Sequence, residues 1–507
     1  MARRLAGSGR TAHGALTLSA GSNSVSPMAA AINPAAPQRW SAAQVQALAP
    51  DPASQKAGVK LAAPAPWSGY GAQAEAGLVW GDCAGSGAKP YQVTVLMAAE
   101  PDAPVYACTC PSRKFPCKHA LGLLLLWAAG NVPEVAADAV PERVEQWLAG
   151  RQERAERGEA RKAAQTEKAA ALAGDPAATR KAAQAAERRA AQRAERIDAG
   201  LDDLELWLRD QVRSGLTGLK GGGYRPIDDL ARRLVDAQAP GVAGRVRELA
   251  GCLSAEDWPE RTLAEFALLH LLIRAWRHRD ALPAPLAATV RRRIGLSLPS
   301  AEIAAEGEHV TDRWLVLGAR DLAGDKLVER RVWLQGEASG RTALLLAFAP
   351  NGQTPGLALP VGAILDAELA FAPDAVPLRA IVLEQRGLET DPARAFVPQG
   401  GTLDEAAAAF AAALAADPWT TSVPVVVCAA VPLVGAKGEG WQIADTKGGG
   451  RVPLLAEAAG VDPNRADLIR HGLLACGGGH PAPLFGLYRP GGLTPVTVWN
   501  DGRAAGL

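Results

Sequence analysis

Three cysteines and one histidine fall within twelve consecutive positions, Cys108-Thr-Cys110-Pro-Ser-Arg-Lys-Phe-Pro-Cys117-Lys-His119, a spacing of C-x-C-x6-C-x-H. Three thiolates and one imidazole are the donor set of a closed tetrahedral zinc site. A C-x-C pair on an extended segment presents both side chains to one face. The second pair can close from the far side of a loop stiffened by Pro111 and Pro116. A catalytic zinc keeps one position open for water. Here four protein ligands are available at once, so Cys108, Cys110, Cys117 and His119 read as a structural site for Zn2+. No catalytic residue stands out. There is no H-E-x-x-H and no G-x-S-x-G, and the glycine runs 221–223 and 448–450 lack the surroundings of a phosphate or dinucleotide loop.

Local elements must hold this cluster. Residues 77–81 (GLVWG) and 91–97 (YQVTVLM) are β-rich runs joined by a Gly/Lys/Pro turn, which signals a hairpin. A short run at 105–107 leads into the cysteines. After His119 an apolar helix is expected over 120–129, and Leu121, Leu123, Leu124, Leu125, Leu126 and Trp127 would pack it on the hairpin. Upstream, Ser41 is a candidate N-cap for a short helix ending near Pro50, followed by a Pro/Ala/Gly-rich connector. A ββα unit of this size is too small to fold well alone. Zinc, worth about 10–16 kcal/mol in small finger peptides, would supply the missing stability.

The spacing C-x-C-x(n)-C-x-H, preceded by strands and followed at once by a helix, resembles the SWIM-type zinc finger. So does its context: Trp80-Gly81 before the loop, Lys89-Pro90-Tyr91 at a strand start, and the core CTCPSRKFPCKHALGLLLLW. The surroundings look like those of bacterial SWIM zinc finger proteins, and the resemblance covers about residues 78–130. It implies Cys108, Cys110, Cys117 and His119 as the zinc ligands. It also implies a protein-interaction or assembly role beside MoxR-type AAA ATPases, rather than an enzyme.

The rest of the 507-residue chain reads as an α+β multidomain protein. Residues 1–39 are a disordered or mis-assigned leader, since the first 27 are basic, Ser/Gly-rich and free of Asp and Glu. The finger lies in an N-terminal region, 40–140. A charged helical linker, 141–196, is rich in Ala, Arg, Glu and Lys and nearly lacks an apolar stripe. A helical domain, 197–300, opens with Leu201, Leu204, Leu208 and Val212 at helical spacing, its face widened by Leu206 and Trp207. A β-rich α+β region, 301–507, shows strands at 313–319, 329–335, 342–348, 423–429 and 495–499 and a helix at 402–416.

Seven cysteines in so long a chain argue against a secreted disulfide scaffold and for a cytoplasmic protein. No apolar run reaches the ~18 residues of a membrane span, so no membrane partner is expected. A net charge of +1 gives no global field for nucleic acid. Yet Lys89, Arg113, Lys114 and Lys118, with Phe115 among them, could touch phosphates and stack on a base. The finger therefore reads as a protein-binding module, with DNA or RNA binding through this basic rim as the alternative. Cys476 and His480 bracket a glycine run without a second pair nearby, and read as ordinary turn residues.

Overall fold

Alternating apolar residues build the N-terminal sheet. The computed structural model describes residues 42–507 except 50–51, 75, 86, 88, 98–103, 113–115, 137–138, 154–155, 158–159, 161–175, 325–326, 351–354, 358, 392–393, 436–439 and 456–462. The expected leader, 1–39, and the Ser41 cap lie outside the described residues. Strands β1 (Trp67–Gln73), β2 (Leu78–Cys83), β3 (Tyr91–Leu96) and β4 (Val105–Cys108) form an antiparallel sheet in chain order. Val79, Cys83, Val93 and Val95 point to one face, where helix α3 (Lys118–Ala128) buries Leu121, Leu123, Leu124 and Leu126. Helices α1 (Ala42–Ala47) and α2 (Pro52–Lys60) cover α3 from outside. At the α2/α3 crossing, a Cβ on Gly58 would lie 2.7 Å from Leu121 Cβ, and one on Gly122 2.6 Å from Leu61 Cβ. Glycine at both positions permits the close approach.

Leu78, Trp80 and Leu96 point to the opposite face, which a helix α4 (142–153) covers with Val144, Trp147 and Leu148. Arg143 adds an ion pair of 2.7 Å to Asp82 of β2. Two features depart from expectation. The connector after Pro50 holds α2 and β1, and the first turns of the expected linker belong to the finger unit. Both become ordered by tertiary burial, which outweighs weak local propensity. With both sheet faces covered, the unit is larger than the ββα core the motif suggested.

The helical region begins with α5 (Pro176–Ser214), a single helix of 39 residues that runs through the expected boundary at 196/197. Its described N-terminal half is largely exposed, whereas Ile197, Leu201, Leu204 and Leu208 are buried. They pack with α7 (Arg225–Asp236), α8 (Pro240–Cys252), α9 (Trp258–Arg277) and α10 (Ala284–Ile294) around one core; α6 (Thr217–Gly221) is a short connector. Leu206 and Val212 do not join that core. They are 58% and 55% exposed, because Leu206 lies well round the helix from Leu204 and Val212 faces a cleft beside α9.

Beyond α11 (Ser300–Glu306) the chain forms two antiparallel sheets. The first has order β7-β6-β5-β8-β9, from β5 (Glu308–Ala323), β6 (Leu327–Gly336), β7 (Thr342–Pro350), β8 (Ile364–Phe371) and β9 (Ala380–Glu389). It curls until its edges meet, with Leu344 N–H donating to Leu378 O at 2.7 Å, and closes on a core of Trp314, Val316, Val332, Leu334 and Phe371. The intervening side chains Leu315, Leu317 and Trp333 face outward and meet Phe485, Val496 and Trp499 of the second sheet. That sheet has order β12-β11-β10-β13-β14-β15, from β10 (Val423–Val434), β11 (Trp441–Asp445), β12 (Arg451–Pro453), β13 (Ala482–Arg489), β14 (Gly492–Asn500) and β15 (Arg503–Gly506). Helices α12 (Leu403–Ala416) and α13 (Pro463–Gly477) cover its other face through Leu403, Ile469 and Leu473.

The bundle is tied to this region. Trp419 is buried in the bundle core, and its Nε1–H donates to Leu268 O at 2.9 Å. Asp417 pairs with Arg293, Asp374 with Arg292 at 2.8 Å, and Ala375 N–H donates to the Thr289 hydroxyl at 2.9 Å. Among the described residues no helix is long and apolar enough to cross a membrane.

Candidate metal centre

Strand β4 delivers the first ligand pair. Cys108 is in register with Val93 of β3, and the pairing continues one residue further. Thr109 N–H donates to Gln92 O at 3.1 Å, and Gln92 N–H donates to the Thr109 hydroxyl at 2.9 Å. This doubled anchor keeps Cys108-Thr109-Cys110 extended, with the intervening side chain turned to β3 and the two sulfurs away from it.

The second pair comes from the start of α3. Cys117 is the N-cap, and its sulfur accepts the Ala120 N–H at 3.5 Å. A sulfur in that position meets the positive end of the helix dipole. His119 sits in the first turn, only 4% exposed, with its ring against Tyr91 at a centroid distance of 4.7 Å. Tyr91 is held in turn by the hairpin: a Cβ on Gly85 would lie 2.5 Å from its ring. Glycine there leaves room for the tyrosine to lie over the imidazole.

The donor atoms of Cys108, Cys110, Cys117 and His119 all lie within 4.8 Å of one another. Cys108 Sγ is 3.8 Å from His119 Nδ1, so this nitrogen edge faces the sulfurs. A tetrahedral centre with Zn–S near 2.3 Å separates its donors by roughly 3.5–4 Å. The four side chains fit that ion, and they are a ligand set suited to Zn2+.

Electrostatics prepare the site. The Cys108 thiol donates to Cys117 and pulls its pKa down to about 4; burial opposes this, while His119, the Ala120 N–H and Cys110 assist. The same hydrogen bond holds Cys108 protonated and pushes its pKa up, and burial raises Cys110. A single thiolate is thus shared among three sulfurs. Burial pushes the Cys83 thiol on β2 up, with Lys118 opposing and the charge of Cys117 adding to the rise, but its sulfur lies outside the ligand group.

Of the expected basic rim, Lys89 and Lys118 are exposed beside the site, whereas Arg113, Lys114 and Phe115 lie outside the described residues. His270 lies 3.4 Å from Glu205. His309 lies between Glu368 and Ala304 O, at 3.0 and 2.8 Å, partners no local pattern suggested. Cys476 and His480 join no metal-binding group among the described residues. The supports that sequence reasoning missed are Tyr91, Gly85 and Thr109. The hairpin register, which pairs Cys83 with Tyr91, carried the signal for the first.

Fold and site together define a zinc-finger protein with a helical bundle behind the finger. The SWIM zinc finger model matches residues 91–128, and the SWIM-associated four-helix bundle domain matches residues 192–294. The chain thus carries a SWIM-type zinc finger and the helical bundle domain associated with it. No curated protein and no solved structure matches it.

Proposed function

We propose that the protein is a non-catalytic, cytoplasmic assembly factor. Its finger is a structural module that binds another protein, and a MoxR-type AAA ATPase is the partner that the SWIM resemblance favours. The observation that carries this reading is the complete ligand set. Four protein donors fill a tetrahedral shell and leave no position at which a metal could activate water. The zinc then acts on shape alone, fixing the β4 end against the α3 start.

The test is binding across a salt series. Purified zinc-loaded protein should bind a MoxR-type ATPase with an affinity that changes little between low and physiological salt, as an apolar interface does. It should bind duplex DNA or single-stranded RNA only weakly at physiological salt. Tight nucleic-acid binding, with a log–log salt slope that flattens by about three units in an Arg113→Ala, Lys114→Ala, Lys118→Ala variant, would overturn the reading in favour of phosphate contacts through the rim.

A further inference from the structure

The outward Val212 lines an unfilled cleft. Helices α5 and α9 run side by side and enclose a groove of about 350 Å³. Leu208 and Phe266 form its floor, while Val212, Leu263 and Ala267 line its walls. Leu263 is 52% exposed, and Leu271, on the same side of α9, is 42% exposed. Large aliphatic side chains so placed on two neighbouring helices form a contiguous apolar surface, which marks an interaction site more often than scattered exposure does.

Arginines outnumber carboxylates around the groove. Arg209 and Arg213 line the α5 side and His270 the α9 side. Arg274 follows His270 by one turn on the same face of α9. Among the described residues no carboxylate lies within ion-pair distance of Arg213 or Arg274. The one carboxylate lining the groove, Glu205, is already engaged: Arg277 holds it at 2.7 Å and Arg209 at 2.8 Å. Glu260, at the first turn of α9, leaves the balance of the groove and its flanks positive.

We infer that this groove binds an amphipathic helix of a partner protein, one with acidic residues along the edges of its apolar face. The chemistry is that of helix-in-groove recognition, in which anchors at i, i+3 or i+4 and i+7 enter a cleft between two helices. From Leu263 to Arg274 the α9 wall is about 18 Å long at 1.5 Å per residue, enough for about three turns of a bound helix. Leucine anchors would fill the space over Phe266, and carboxylates on either edge would meet Arg213 and Arg274. This surface is separate from the finger and stands whether or not the finger binds protein.

The probe is a fluorescein-labelled 18-residue helical peptide with leucines at i, i+4, i+7 and i+11 and glutamates flanking them. A second version carries lysine in place of every glutamate. Fluorescence anisotropy with the full zinc-loaded chain should show saturable binding of the glutamate peptide, at least about tenfold tighter than the lysine peptide. Leu263→Asp should weaken it about tenfold or more without changing the far-UV circular dichroism, because the side chain is half-exposed. Arg213→Glu with Arg274→Glu should erase the preference between the two peptides. Equal binding of both peptides to the unaltered chain, or full affinity in Leu263→Asp, would overturn the inference. So would duplex DNA binding that the Leu263→Asp or arginine variants abolish, or a monomer–dimer equilibrium in sedimentation that Leu263→Asp abolishes. The last outcome would assign the groove to a second copy of the chain.

Discussion

Cys117 is where the chemistry of the finger is concentrated, because one side chain caps α3, accepts hydrogen bonds and offers a thiolate to the metal. Its pKa lies at about 4, whereas those of Cys108 and Cys110 are raised. At neutral pH Cys117 is therefore already charged and the other two sulfurs still carry protons. Zinc needs all three as thiolates, so binding must expel the remaining protons. Between pH 7 and 8, calorimetry in buffers of different ionisation enthalpy should count about two protons released per zinc. The logarithm of apparent affinity should rise by about two per pH unit, since the free site loses its advantage only as Cys108 and Cys110 begin to ionise. Thiolate absorbance at about 240 nm in the metal-free protein at pH 7 should show one charged sulfur, and its absence would mean that Cys117 is protonated and that the helix-capping role of its thiolate is wrong. The four ligands were legible in the sequence because they are local, all within residues 108–119. Tyr91 was not, because its contact with His119 depends on a hairpin register and a glycine across the turn.

At the scale of elements, the finger depends on how closely α2 approaches α3. Gly58 and Gly122 face each other's helix with no room for a side chain. Gly122→Val should force the helices apart and destabilise the zinc-loaded finger by about 1–3 kcal/mol. A thermal melt followed by zinc release would register this as a lower midpoint, and an unchanged midpoint would mean that the crossing is looser than described. Elements with strong local patterns, such as the hairpin, α3 and α12 with its Thr402/Glu405 capping box, were readable from the sequence. Others were not, for a physical reason. Strand β1 contains Gly69 and Gly71 and becomes a strand only by pairing with β2. Helix α4 was read as solvated linker because Val144, Trp147 and Leu148 form too short a stripe to stand out from the charged residues that follow. The α5 stripe was read one turn too long, since periodicity alone cannot distinguish a residue packed in the core from one lining an open groove.

The molecule as a whole divides differently from the way its composition suggests. The finger unit buries its own two clusters, whereas the bundle core is completed by Trp419 from the C-terminal region. Chelation of zinc should thus loosen the finger while the bundle and the sheets keep their protection in hydrogen exchange. By contrast, Trp419→Ala should cost about 3–5 kcal/mol and lower the unfolding midpoint of bundle and sheets together. Separate melting of bundle and sheets in that variant and in the parent alike would refute their coupling. The Trp419 contact also has a temporal side. Its indole reaches back to Leu268 across 151 positions, and a ribosome adding about 5–20 residues per second needs roughly 8–30 seconds to make that stretch. The finger can mature on the nascent chain within its own segment, but the bundle must wait with an open socket. Nascent bundles are therefore the stage of this protein's synthesis most exposed to chaperones and to misassociation, and a translational pause between residues 295 and 417 would prolong it.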